Sequence, residues 1–162
     1  MSSSSNMRAP EPTGKSKRKT NTIDLPTARQ MLPLVRSIVQ DIVDQKRRLT
    51  DLVHEQYTLD RERRSLTWES RRRRYMVAEE VAQTERNYSS AIDELTKLGV
   101  ALVDPNAGRV DFPTRINGRA AAFSWQVGED GVEFWRYQEE NQRRPIPRDW
   151  QPGTAIRPSR EA

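Results

Sequence analysis

The sequence predicts a mainly α protein: a long antiparallel helical hairpin, coiled-coil-like, with a small antiparallel β-meander packed at its base. Three observations carry this. Residues 34–98 contain neither glycine nor proline, although the chain holds 7 and 10. Within that run apolar residues recur at three–four spacing, the signature of a helix face. After Gly99 the apolar period changes to two, and glycine-containing turns follow at short intervals.

The elements follow in order. Residues 1–22 are Ser/Pro/Lys-rich without periodicity and carry five basic and one acidic side chain, so they read as a disordered basic tail. Asp24 and Pro26 look like a helix start, the carboxylate capping free N–H groups and the proline costing no bond in the first turn. Pro33 predicts a short helix over 25–31, a kink, and then the long helix. Val35, Ile38, Ile42, Gln45, Leu49, Leu52, Gln56 and Leu59 form the first seam. The apolar stripe is wide at 35–43 and narrow after Leu49, which places the core at the Val35 end. Val77, Val81, Thr84, Tyr88, Ala91 or Ile92, Leu95 and Leu98 form the second seam. The pattern fails over 60–74, so a turn is expected near Ser65–Ser70, with Ser65, Thr67 or Ser70 capping the second helix. That turn pairs residues whose numbers sum to about 134, such as Val53 with Val81 and Tyr57 with Val77. An unbroken helix instead would run about 98 Å with both seams exposed.

Gly99 suits a left-handed helix end. Val100–Val103, Arg109–Phe112, Arg119–Val127 and Val132–Tyr137 read as strands, with a turn at Asp104–Gly108 and a type I′ turn at Asn117-Gly118. The domain is expected to span 23–137, followed by a Pro-rich polar tail over 138–162.

Composition bounds the function. Charged residues make up 31 % of the chain, the net charge is +5 and there is no cysteine, while the pI is 9.9 and mean hydropathy −0.93. Disulfide and thiolate chemistry are excluded. No apolar run approaches a membrane span and no signal-peptide core is seen, so a cytoplasmic protein without membrane contact is expected. Residues 46–75 carry ten basic and five acidic side chains, residues 76–98 two and five.

Two stretches taken together resemble a known family. They are Ile23–Arg36 and Leu95–Pro113, followed by Phe123–Glu129 and Glu133–Trp135. The order Leu-Gly-Val, Val-Asp-Phe-Pro, Trp, Gly-Glu, Phe-Trp resembles a family of small bacterial proteins known as domain of unknown function 2203. The resemblance covers roughly 23–137 with a variable middle at 57–76. It implies a bacterial protein of this architecture and no particular activity. Family members often carry Cys before the Trp matched by Trp125 and His after the Trp matched by Trp135. Here those positions are Ser124 and Arg136, so chemistry depending on that Cys or His is not expected.

The candidate sites are few. His54, the one histidine, cannot build a zinc site alone. The neighbours Glu79-Glu80 and Asp93-Glu94 diverge by about 100° on a helix and read as a solvated acidic face. The glycines lie at strand turns rather than in a phosphate loop. No catalytic, cofactor or metal residue is assigned. Arg71, Arg72, Arg73 and Arg74 point all round the helix, with Arg61, Arg63 and Arg64 across the turn and Trp68 between the groups. They are the candidate anion-binding residues. Alternation places Phe123, Trp125 and Phe134 inside, leaving Trp135 and Tyr137, with Trp68, as candidate exposed contacts.

The function expected is a non-catalytic interaction or scaffold protein with an unknown protein partner. The alternative is a nucleic-acid-associated protein that binds weakly through the arginine-rich tip. The thin seam of the arm further predicts a homodimer.

Overall fold

The structure is a computed structural model that describes residues 21–150. The expected basic and Pro-rich tails lie outside them, apart from Asn21, Thr22 and residues 138–150. Two helices, α1 (Leu25–Arg61) and α2 (Trp68–Lys97), precede five strands. These are β1 (Ala101–Asp104), β2 (Arg109–Ile116), β3 (Arg119–Gln126), β4 (Phe134–Tyr137) and β5 (Arg144–Pro145). Every strand pairs antiparallel with its chain neighbour, in the order β1-β2-β3-β4-β5.

Helix α1 starts where the sequence places it. Asp24 Oδ1 accepts the Thr27 N–H at 2.8 Å, and this bond, from side chain and backbone together, lowers the Asp24 carboxyl below its ordinary pKa. The expected break at Pro33 does not occur, since α1 runs unbroken through it. Pro33 and Arg29, whose carbonyl loses its partner four residues on, both lie on the exposed side. Water can take that bond, so the helix survives the proline.

The helices turn at 62–67, and Thr67 is the cap, its hydroxyl accepting the Ser70 N–H at 3.2 Å. The turn is centred some residues earlier than expected, which shifts the register. Arg73 meets Glu55 and Arg48 meets Glu80, so facing numbers sum to 128 rather than 134. Val53 and Tyr57, expected to face Val81 and Val77, are 45 % and 64 % exposed, and Leu52 of the expected seam is buried with Val77 and Val81. The remaining seam positions from Val35 to Leu59 and from Val77 to Leu98 are all buried or half-buried.

The core sits at the Val35 end. Val35, Ile38, Val39, Ile42 and Val43 of α1 and Leu95 of α2 pack on Val110, Phe112, Ile116, Phe123 and Trp125. Gly99 (φ 79°) turns the chain out of α2, and Asn117 and Gly118 (φ 54° and 73°) make the two left-handed residues of a type I′ turn. Gly108 is required for a second reason. A Cβ there would stand within 3.0 Å of Val43 Cγ2 and closer still to Val127, so this turn can press onto α1 only without a side chain.

The sheet is larger than the small meander expected. Strand β2 continues past Phe112 through Pro113 to Ile116. The Pro113 carbonyl accepts the Ile23 N–H at 2.7 Å. A strand residue points its N and O to the same side, so the missing N–H of Pro113 faces away from β3 and no β2–β3 ladder bond is lost. The boundary expected at Gln138 lies inside the packed unit: β5 pairs with β4, and Ile146 and Trp150 pack against the core.

Trp135 and Tyr137 are 8 % and 7 % exposed, against the exposure read from alternation. Phe123 pairs with Trp135 and Ser124 with Phe134. Cross-strand partners share a face, so Trp135 joins Phe123 in the core while Phe134 lies on the other side. The expected phase is off by one residue, and a one-residue slip exchanges the faces of a whole strand.

Candidate functional site

The arginine-rich turn is built by the hairpin. The end of α1 supplies Arg61, the turn Arg63 and Arg64, and the first turns of α2 supply Trp68 and Arg71 to Arg74. The structure divides the seven arginines into two groups. Arg73 reaches back across the hairpin, its Nε and Nη2 donating to Glu55 at 2.6 and 2.9 Å and its Nη1 to Glu80 at 3.0 Å. Those hydrogen bonds raise the guanidinium above its ordinary pKa and hold the Glu55 carboxyl below the usual carboxylate range. Arg74 donates to Asp60 at 2.6 Å. Arg73 and Arg74 therefore bind the two helices together. Glu80, expected on a solvated acidic face, is one of their counter-charges.

The second group is Arg61, Arg63, Arg64, Arg71 and Arg72. All five are exposed, and among the described residues none has an ion pair or a side-chain hydrogen bond. Arg72 instead lies 5.9 Å from the ring centre of Trp68, which is 66 % exposed. Tyr75 and Tyr57 are 79 % and 64 % exposed in the same part of the hairpin. Residues 61–72 hold these five arginines against Glu62 and Glu69, leaving a local net charge of +3. Their opposite charges are few because Glu55, Asp60 and Glu80 are already bound.

Sequence reasoning missed a second cluster, on the sheet face turned away from the helices. Asp111 and Ser124 are partners in the β2–β3 ladder, and Arg136 follows on β4. Arg136 forms an ion pair with buried Asp111, and its Nη1 donates to the Glu140 carbonyl at 2.9 Å. Arg143, from the segment leading into β5, donates to Ser124 Oγ at 2.9 Å and to both Glu129 oxygens at 2.5 and 3.0 Å. Its guanidinium lies 4.4 Å from the centre of the Phe134 ring. Ser124 is fully buried, and its hydroxyl oxygen accepts from the Arg143 guanidinium, which donates protons and cannot take one. Among the described residues no buried side-chain polar atom lacks a partner. The signal was available in part: Ser124 and Arg136 are the positions at which the resemblance drawn from the sequence implied Cys and His.

Among the described residues no three His, Asp or Glu side chains gather to hold a metal ion, and His54 is exposed on α1. No helix among them is long and apolar enough to cross a membrane.

A family model described as an uncharacterized conserved protein (DUF2203) matches residues 22–146. The matched span includes both helices, all five strands and the Asp111–Arg136 and Ser124–Arg143 contacts. No curated protein and no solved structure matches the chain.

Proposed function

The chain belongs to the uncharacterized conserved family DUF2203, and from the geometry of its arginines we propose a non-catalytic interaction protein that presents the turn of its helical hairpin to an acidic partner. The observation that carries the reading is the division of the arginines. Arg73 and Arg74 are consumed in holding the helices together, whereas Arg61, Arg63, Arg64, Arg71 and Arg72 are exposed without an ion pair among the described residues. An exposed cation with no ion pair among the described residues can meet a carboxylate or phosphate from outside the chain. The scaffold role is supported by the sheet network, whose charged groups are committed to one another.

The test is titration of the full chain with polyglutamate at low salt, beside a variant with all five arginines changed to glutamine. The variant should bind at least about tenfold more weakly, with a shallower dependence on salt. Equal binding by the two chains would sink the reading. Light scattering on the same samples tests the homodimer: a monomeric mass with full helicity at micromolar concentration would dispose of it.

A further inference from the structure

We propose that the partner of the hairpin turn is single-stranded nucleic acid, held by arginines on phosphates and by stacking of a base on Trp68. The inference rests on the turn being a binding surface and adds the chemical class of its ligand. Charge alone would serve an acidic protein equally well, so the aromatic residues decide.

Trp68 begins α2 in the middle of the arginine group and is 66 % exposed. The other tryptophans belong to the base: Trp125 and Trp135 are buried in the core, and Trp150 packs on Trp135 at 5.5 Å between ring centres. Nothing in the core explains a large exposed indole at the far end of the hairpin. Arg72, 5.9 Å from the ring centre, keeps a cation beside the ring. Exposed Tyr75 follows two turns into α2, and exposed Tyr57 stands one turn before Arg61. Aromatic rings interleaved with unpaired arginines are what an unstacked base and its flanking phosphates require. A duplex hides its base faces within the stack, so the same surface would give it only the phosphate contacts. The turn also stands clear of the base: from Val43, the last buried α1 residue of the core, to Arg61 the helical rise is about 27 Å. At physiological salt that is several Debye lengths from the sheet charges, so the local +3 governs encounter.

The experiment measures fluorescence anisotropy of a labelled 20-nucleotide single strand and the matching duplex with the full chain. The variants are the five-arginine-to-glutamine chain, Trp68→Ala, Trp68→Phe, and a tail control with Lys15, Lys17, Arg18 and Lys19 changed to glutamine. The single strand should bind more tightly than duplex or polyglutamate. Its slope of log K against log salt should fall by about 0.7 for each phosphate that the five-arginine variant no longer neutralises. Trp68→Ala should weaken single-strand binding about tenfold, with Trp68→Phe recovering most of it. The tail control should keep its dependence on the five arginines. Unchanged helical circular dichroism guards against misfolding. If polyglutamate binds best and Trp68→Ala changes nothing, the turn is an acidic-protein surface: the nucleic-acid inference falls while the proposed function stands. If the five-arginine variant binds every probe as the parent does, both fall.

Discussion

The base of the hairpin and its far end are built from the same two helices and differ in almost every other respect. At the base, α1 buries Val35, Ile38, Val39, Ile42 and Val43 in one wide stripe, and the sheet supplies Phe112, Phe123 and Trp125 to cover it. In the arm the buried set shrinks to Leu52, Val77 and Val81, with Leu49 and Leu59 packed against them. The charges reverse that order. The base keeps two of its ion pairs largely buried against the outer sheet face, Arg136 on Asp111 and Arg143 on Glu129. The arm holds itself with exposed or half-exposed pairs and leaves five arginines over. One helical hairpin can thus serve as core where a third layer covers it and as a projecting surface where none does.

The comparison breaks first at the core. Trp125 is 1 % exposed and donates its indole N–H to the Glu129 carbonyl at 3.1 Å. Trp125→Ala should cost about 3–5 kcal/mol and lower the urea midpoint of the whole molecule. A loss below about 1 kcal/mol would mean that the sheet does not anchor the base.

The arm should respond less and locally. Leu52→Ala removes the α1 member of a small cluster that borders solvent, and a loss of about 2 kcal/mol, the low end for leucine truncation, is expected. Amide exchange should then quicken over residues 49–81 while the sheet amides keep their protection. Uniform acceleration would show that base and arm unfold as one unit.

The smallest effect is in acid. The Arg73 hydrogen bond holds the Glu55 carboxyl below its ordinary value of 4.5 in the folded chain. The unfolded chain therefore binds more protons in that range. The stabilisation is fully present above 4.5 and disappears as pH falls through the lowered folded value. Both partners are partly exposed, so the effect is modest. Glu55→Gln should flatten the fall in arm stability below pH 4.5 and leave the base profile unchanged. An identical acid profile for parent and variant would assign the sensitivity elsewhere.

Much of this architecture follows from the sequence by itself, because local sterics and periodicity determine it. The seam positions of both helices, the Asp24 cap, a cap for α2 among Ser65, Thr67 and Ser70, and the left-handed Gly99 and Asn117-Gly118 need only near neighbours. The wide stripe at 35–43 likewise announced the core, since such a stripe needs more than one covering element. What depends on distant partners was decided only by the tertiary structure. The hairpin register put Glu55 and Glu80 on Arg73, which split the seven candidate arginines into two that brace the helices and five that do not. The β3–β4 register set which of Phe134 and Trp135 lies inside, because each residue along a strand changes face and the phase comes from the partner strand. The same register placed Asp111, Ser124 and Arg136 on one outer face. Residues 138–146 looked like a polar tail because their contacts, Arg143 on Ser124 and Glu129 and β5 on β4, exist only after the sheet has formed.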